Sequence, residues 1–270
     1  MWKVIDKKIL GPGIKQIHII AKEIADKAKA GQFVVLRVDE RGERIPLTLA
    51  DWDISAGTIT LVFQEVGRTT TKLGLLNIGD NILDLIGPMG HPTHIENFGE
   101  VVGIGGGVGI APLFPVMREM KKAGNRIISI IGARSKDYLF WENEISTVSD
   151  KLIVTTDDGS YGKRGFVSDA LKSEIDNKGK FDLVFVVGPA VMMKVVSDMT
   201  RTYGIKTIAS INSIMIDATG MCGGCRVDVG GRKMFACVDG PEFNAHDVDF
   251  DILLSRQKSY LKEEEIARHN

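Results

Sequence analysis

The three cysteines of this chain, Cys222, Cys225 and Cys237, fall within sixteen residues of one another, with none before them. An odd, tightly clustered set is a poor disulfide framework and a good metal site in a reducing compartment. With Asp217 ahead of them the spacing is D-x4-C-x2-C-x11-C. Plant-type 2Fe–2S sites use C-x4-C-x2-C and a distant fourth cysteine, so three positions match and aspartate stands at the first. Ferric iron needs anionic donors, and thiolate and carboxylate each supply one negative charge. Gly220, Gly223 and Gly224 let the loop wrap closely, so that backbone N–H groups can point at the sulfurs. The expectation is a 2Fe–2S cluster held by Asp217, Cys222, Cys225 and Cys237. Two readings compete with it: structural zinc, with His246 replacing Asp217, and plain reduced thiols in a turn. The lack of a second C-x2-C pair weakens the zinc case.

Upstream, the hydrophobic pattern changes character once. Over the first ninety-odd residues, short apolar runs (residues 17–20, 32–38 and 58–63) are separated by the turn signals Gly11-Pro12-Gly13, Arg41-Gly42 and Ala56-Gly57. This spacing predicts a small antiparallel barrel. Only residues 22–30 read as helical there, with Gly31 as the stop. From Glu100 onward, strands and helices alternate. Strands are expected at 101–104, 126–131, 151–155, 183–187 and 205–211, and helices at 112–123, 138–147, 167–173 and 190–203. Gly124 and Gly204 stand at helix C-caps. Alternation of this kind argues for a doubly wound parallel sheet with helices on both faces. The glycine-rich segment 212–241 follows, and then a charged tail at 260–265, read as a solvated helix or frayed end. The expected architecture is a multidomain β-barrel plus α/β protein: a barrel at 1–97, the α/β domain at 98–210, and a small C-terminal metal module with a closing helix at 211–270.

Within the α/β part, Gly105-Gly106-Gly107-Val108-Gly109 connects a strand to a helix that opens near Pro112. Glycines there let a pyrophosphate approach backbone N–H groups at a helix N-terminus, where the dipole favours anions. Two later turns, Asp157-Asp158-Gly159-Ser160 and Gly188-Pro189-Ala190, follow other strands. In a doubly wound sheet they stand on the ligand side, beyond the strands' carboxyl ends. The acidic residue of a simple Rossmann fingerprint is missing from its usual place. Arg134 favours a 2′-phosphate, while Asp137 and Glu142 favour a free ribose, so spacing alone leaves NAD and NADP both open.

Composition excludes several classes. With 34 basic and 35 acidic side chains the formal charge is −1, which leaves no broad footprint for nucleic acid or anionic membrane. The longest charge-free stretch, residues 101–117, holds five glycines and two prolines and is too short and broken to span a bilayer. The first ten residues, MWKVIDKKIL, lack an apolar signal-peptide core. A soluble, cytoplasmic protein is expected. His18, His91, His94, His246 and His269 are scattered, and no catalytic triad presents itself.

A barrel, a dinucleotide-type sheet and a 2Fe–2S loop together resemble the ferredoxin reductase-like flavoproteins. The chain is most similar to two sets of electron-transfer subunits within them. One serves dihydroorotate dehydrogenase; the other is the small subunit of NADH-dependent reduced ferredoxin:NADP oxidoreductase. The resemblance is carried by Ile45-Pro46-Leu47-Thr48, Val62-Phe63-Gln64, Gly67-Arg68-Thr69-Thr70, Gly87-Pro88-Met89-Gly90, the Gly105–Gly109 turn, and Met221-Cys222-Gly223-Gly224-Cys225 through Cys237-Val238-Asp239-Gly240-Pro241. It implies that Pro46, Leu47, Thr48, Val62, Phe63 and Gln64 line FAD. It also implies that Thr69 and Thr70 meet the FAD diphosphate through hydroxyl and N–H donors; without it, both read as ordinary strand residues. Gly105, Gly106, Gly107, Val108, Gly109, Gly188 and Pro189 would meet NAD(H). Much of the superfamily has arginine where Ile45 stands here, with Arg44 one residue earlier. Glu65 lies beside the flavin segment and reads as a surface carboxylate.

The resemblance further implies a conversion between two-electron and one-electron transfer, in which hydride from NADH reaches FAD and single electrons pass through the cluster to a larger FAD and iron–sulfur partner subunit. Dihydroorotate dehydrogenase subunits carry a fourth cysteine where Asp217 stands, and the transhydrogenase small subunits resemble this chain in having aspartate, which favours the latter. A dihydroorotate-linked subunit is the second reading, and a flavin-free, zinc-stapled nucleotide-binding module is the third.

Overall fold

A computed structural model describes residues 2–260, 263 and 266. The chain begins with β1 (Trp2–Gly11) and β2 (Ile14–Ile20), a short helix α1 (Lys22–Ala25), β3 (Phe33–Arg37), β4 (Ile45–Asp53) and β5 (Thr58–Gln64). Helix α2 (Arg68–Leu75), β6 (Asn81–Ile82) and β7 (Asp84–Met89) follow. The seven strands form one antiparallel sheet in the order β6-β1-β2-β5-β4-β3-β7. Its two edge strands are separated in sequence only by Leu83, so the sheet rolls into a near-closed barrel. Alternation fills the interior: Ile17, Ile19, Leu49, Ile59, Leu61 and Phe63 point inward and are buried together.

Two expectations for this region are corrected, and one strand had no expectation attached to it. Residues 2–11 form a strand although Asp6, Lys7 and Lys8 interrupt the apolar pattern, because β1 lies toward the sheet edge and Val4 is its one fully buried residue. The helix expected over 22–30 ends at Ala25. Beyond it the chain turns so that Gln32 can accept from Leu49 N–H and Ala30 from Thr93 N–H. Thr69 and Thr70 are in the first turn of α2 rather than a strand. That helix ends against two lysines: Lys7 Nζ donates to the Gly74 and Leu76 carbonyls at 2.7 Å, and Lys15 Nζ donates to Gly74 at 2.8 Å. Cations placed there satisfy its last carbonyls and its dipole.

The second sheet starts with β8 (Glu100–Gly106), α3 (Ile110–Lys122), β9 (Arg126–Ala133), α4 (Glu142–Thr147), β10 (Lys151–Thr156), β11 (Lys163–Arg164) and α5 (Val167–Lys178). It continues with β12 (Leu183–Val187), α6 (Ala190–Thr202) and β13 (Thr207–Ser210). After it come the hairpin β14 (Arg226–Val229) and β15 (Arg232–Phe235), then β16 (Glu242–Asn244) and α7 (Phe250–Gln257). The order β11-β10-β9-β8-β12-β13-β16 is parallel except for β16, which pairs antiparallel with β13. The direction of winding reverses between β8 and β12. The helix expected over 138–147 begins only at Glu142, because Trp141 takes a left-handed conformation (φ 55°). Its ring packs against Phe114 with centroids 5.6 Å apart, and its Nε1 donates to Gln16 of the barrel. Helix α7 ends at Gln257; most of the charged run at 260–265 lies outside the described residues.

The doubly wound sheet separates its side chains by parity. Val101, Ile127, Leu183 and Phe185 face α3 and, beyond it, Ile14, Ala50 and Val62 of the barrel. Val102, Ile128, Val184 and Val186 face α5 and α6, and that core continues into Cys225, Val227, Ala236, Cys237 and Phe243. One face of the sheet therefore carries the barrel and the other carries the cysteine module. The barrel face is latched by Arg118 of α3, which pairs with Asp51 and lies over the Trp52 ring at 5.0 Å.

The reversal point is also a close backbone-to-backbone contact. A Cβ on Gly109 would sit 2.5 Å from the Val187 carbonyl oxygen and 2.9 Å from Gly188 Cα, both rigid backbone. Gly109→Ala is expected to destabilise the protein by about 1–3 kcal/mol through overpacking, measured by urea unfolding.

Candidate functional site

Gly105–Gly109 follows β8 and Gly188-Pro189 follows β12, so the two turns flank the topological switch point, where α/β sheets bind ligands. The fold brings them together: a Cβ on Gly188 would meet Gly106 O at 3.0 Å and Gly106 N at 3.1 Å. Gly107 has φ +54°, a left-handed turn that only glycine adopts without strain. The turn opens onto α3, whose first N–H groups have no partner within the helix and favour an anion. Pro112 and Pro115 both lie within α3. At the neighbouring strand ends, Asp157 N–H donates to Ala133 O and Asp158 N–H to Arg134 O. Arg134 lies over the Tyr138 ring, and Glu142 accepts from the Tyr161 hydroxyl at 3.1 Å. Burial, with Asp158 alongside, raises the Asp157 carboxyl above its usual range.

On the barrel, Pro46, Leu47 and Thr48 of β4 pair with Val35, Val34 and Phe33 of β3. Val62, Phe63 and Gln64 of β5 pair with Gln16, Lys15 and Ile14 of β2. Strands β4 and β5 are neighbours, yet their ladder stops at Leu49 opposite Leu61. Past that point the strands part, and the facing backbone groups of 46–48 and 62–64 have no partners in that ladder. The parted strands make a slot whose edges offer N–H donors and C=O acceptors. The Phe63 ring turns into the barrel core (1% exposed), so at 62–64 the slot is edged by backbone and by Val62 and Gln64. At the start of α2, the Thr70 hydroxyl accepts from Val66 and Gly67 N–H at 3.0 Å each, and the Thr69 hydroxyl donates to Glu43 at 3.4 Å. Arg44 is exposed. Glu65 pairs with Lys15 at 2.6 Å.

The four expected metal ligands, three on the loop before the β14–β15 hairpin and Cys237 just after it, gather two by two. Cys222 Sγ is 3.3 Å from Asp217 Oδ1, and Cys225 Sγ is 3.1 Å from Cys237 Sγ. Left-handed residues at Ala218 (φ 57°), Gly220 and Gly223 curl the backbone around them, and Gly224 N–H donates to Cys222 Sγ at 3.3 Å. The Thr219 backbone N–H, with the Cys222 thiol, holds the Asp217 carboxyl below its usual range. Burial and the neighbouring Cys225 push the Cys237 thiol up to about 12. The Cys237 thiol raised in this way keeps its proton unless a cation takes its place, and bound metal deprotonates a coordinating thiol. Three thiols and a carboxylate in two pairs fit a centre with two metals, each taking two protein donors. Among the described residues, no three His, Cys, Asp or Glu side chains converge as they would on a single ion. His246, the zinc alternative to Asp217, instead contacts the Thr200 hydroxyl at 3.0 Å on the α6 side.

One largely buried carboxyl at the junction of these parts carried no signal in the sequence. Glu242, the first residue of β16, accepts a 2.6 Å hydrogen bond from the Thr93 hydroxyl. Burial of its carboxyl raises it to about 7, against the lowering effect of the Thr93 bond. The motif Cys237 to Pro241 stops one residue short of it, and a lone glutamate in a three-residue strand reads as a surface charge.

A barrel with a slot, a nucleotide sheet and a paired-ligand loop define a flavoprotein electron-transfer module of the ferredoxin-reductase class. Residues 104–198 match the oxidoreductase NAD-binding domain, and residues 212–249 match the iron–sulfur cluster binding domain of dihydroorotate dehydrogenase B. The chain is 46% identical to the Thermotoga maritima dihydroorotate dehydrogenase B (NAD(+)) electron transfer subunit homolog, over 98% of this chain and 93% of that protein. It is 29% identical to the corresponding electron transfer subunit of Geobacillus thermodenitrificans, over 91% and 96%. Among solved structures, a chain of the NADH-dependent reduced ferredoxin–NADP oxidoreductase, studied for flavin-based electron bifurcation, superposes with a TM-score of 0.94 at 45% identity, covering 99% of this chain and 96% of that one. The chain belongs to the family of dihydroorotate dehydrogenase B-type electron transfer subunits and their homologues. It is an NAD(H)-linked oxidoreductase subunit whose cofactors are FAD, a 2Fe–2S cluster and NAD(H).

The raised Glu242 carboxyl sets a pH dependence of stability. Below the ordinary value of 4.5, folded and unfolded chains both hold the proton. As pH rises from there to about 7, the unfolded chain releases its proton while the folded one keeps it, so stability falls across that window and the loss is complete above it. Glu242→Gln is expected to remove this slope. In urea unfolding the variant should gain on the wild type between pH 5 and pH 8, by up to about 3 kcal/mol.

Proposed function

We propose that this chain is the small subunit of a complex of the NADH-dependent reduced ferredoxin:NADP oxidoreductase type, passing electrons between NAD(H) and a larger FAD and iron–sulfur partner subunit. The observation that carries the reading is the two-by-two gathering of Asp217 with Cys222 and of Cys225 with Cys237, on a loop closed by a strand of the nucleotide sheet. Asp217 and Cys222 would hold one iron, and Cys225 and Cys237 the other. When bound, the nicotinamide supplies a hydride, the flavin divides it into single electrons, and the cluster carries them one at a time.

The chain's own residues bind and orient. Gly105 to Gly109, with Gly188 and Pro189, would cradle the NAD(H) diphosphate through backbone N–H groups. The slot edged by Pro46, Leu47, Thr48 and by Val62, Phe63 and Gln64 would clamp the flavin ring through the backbone groups left free where β4 and β5 part. Thr69 and Thr70 would meet the FAD diphosphate through their backbone N–H groups, since their hydroxyls already have partners. No proton transfer at the reacting carbon is asked of any side chain, in keeping with the scattered histidines. The working division is 1–97 for FAD, 98–210 for NAD(H) and 211–270 for the cluster. Among the described residues, no helix is long and apolar enough to cross a membrane. We assign a cytoplasmic location, where three thiols stay reduced and free to bind iron.

The match of residues 212–249 to the cluster domain of dihydroorotate dehydrogenase B favours a second reading, an electron-transfer subunit for dihydroorotate oxidation. The two differ at Asp217, where the dihydroorotate-linked subunits carry cysteine by resemblance, and in the partner that copurifies: a larger flavin and iron–sulfur subunit, or a dihydroorotate-binding barrel.

Carboxylate donates less electron density to iron than thiolate does. Asp217→Cys is therefore expected to keep a 2Fe–2S absorption and EPR spectrum while shifting the cluster midpoint in redox titration. An unchanged spectrum together with an unchanged midpoint would remove Asp217 from the ligand set.

A further inference from the structure

The electron-transfer reading gives no task to the largely buried carboxyl of Glu242, which, unlike the buried Glu174 paired with Lys151, has no ion-pair partner among the described residues. Glu242 stands five residues after Cys237, where three parts of the protein meet. Its strand pairs with β13 of the nucleotide sheet, and its carboxyl reaches Thr93 on the connector from the barrel. On the barrel side it faces Gly31, where a Cβ would lie 2.5 Å from Glu242 Oε1 and 2.9 Å from Thr93 N. A residue without a side chain, at φ +83°, leaves the room that the carboxyl fills.

No described side chain forms an ion pair with Glu242, and the Thr93 hydroxyl is the one group that favours its ionised form. Of the charged and titratable residues on the segments around it, Lys29, His91, His94, Lys206, Asp239 and Asp247 are exposed, and His246 is half-buried with its ring on the Thr200 hydroxyl. His94 pairs with Glu96, Lys206 lies over the Phe98 ring, and Asp247 accepts from Asn244. A carboxyl without a counter-ion is a costly way to fill a seam, since glutamine would make the same contact without a desolvated charge. What a carboxyl offers beyond glutamine is an exchangeable proton.

We propose that Glu242, positioned by Thr93, is a charge-compensating proton site: its carboxylate takes one proton from solvent when an electron arrives on the cluster of the adjoining loop, and releases it when the electron leaves. This rests on the ligand set proposed above. The balance is one electron, supplied by NADH, and one proton, from water, so the net charge of the module is unchanged; the O–H bond of Glu242 is the only one formed. An added negative charge in a poorly solvated interior raises a carboxyl's proton affinity. By linkage, a protonated Glu242 raises the electron affinity of the cluster by the same factor.

The test is redox-difference infrared spectroscopy of the holoprotein, with flavin, iron and acid-labile sulfide counted in each sample. Reduction of the wild type near pH 7.5 is expected to produce a protonated-carboxyl C=O band that shifts in D2O and is missing from Glu242→Gln. In redox titrations from pH 6 to 8, the cluster midpoint should fall with pH in the wild type and lose that slope in the variant. Thr93→Val removes the donor that favours the carboxylate, so the sloping window should move to higher pH. A wild type with full cofactor content and no such band would overturn the proposal, as would a band or slope that persists in Glu242→Gln. If Glu242→Gln does not load its cofactors, the wild-type band and the Thr93→Val window decide. A folded wild type that takes up no iron would overturn the ligand reading, an outcome separable from the proton site.

Discussion

The short ladder between β13 and β16, with the hydrogen bonds at its base, holds the three parts of this protein in register. Ile211 N–H donates to the Pro241 carbonyl at 3.0 Å where the cysteine segment leaves the nucleotide sheet and returns to it. His91 N–H donates to the Gly240 carbonyl at 2.7 Å, tying that return point to the end of the barrel. These are obligatory backbone groups at a buried junction, where an unmade bond costs about 1–3 kcal/mol. They set where Cys237 stands relative to the turns after β8 and β12, and hence how the metal loop faces the nucleotide side.

The two faces of the nucleotide sheet then divide the labour. Helix α3 is shared: its N-terminus opens at the glycine turn, while Arg118 near its other end grips Asp51 and Trp52 of the barrel. A rigid helix thus sets the spacing between the glycine turn and the slot where β4 and β5 part. On the opposite face, α6 packs against the core that contains Cys225 and Cys237. The slot needs no dedicated element, since it arises where β4 and β5 stop pairing after Leu49 and Leu61.

Much of this was legible from residue order. The change from alternating short strands to strand–helix units gave the barrel and the doubly wound sheet, because burial on one face or on both writes different periods into sequence. That Asp217, Cys222, Cys225 and Cys237 gather in pairs was legible from their spacing, and the turn Gly105–Gly109 at the sheet's reversal from its glycines. Tertiary context decided the elements that were missed. Helix α2 holds three consecutive threonines, a poor helix run, and forms against Lys7 and Lys15 from strands distant in sequence. Residues 2–11 pair as a strand despite their charges, and Trp141 breaks the expected helix to reach Gln16. Glu242 was invisible for a related reason: its significance comes from Gly31 and Thr93, which sequence cannot place beside it.

The closure of the cysteine loop has a consequence for how the protein matures. A segment of about 30 residues that had to be gathered by metal alone would charge its loop-closure entropy to the binding step. Here the β13–β16 pairing has already brought the ends together, so an iron–sulfur donor meets a cradle that is largely shaped in advance. Binding of the inorganic core then carries a smaller ordering cost than it would in a free loop of the same length.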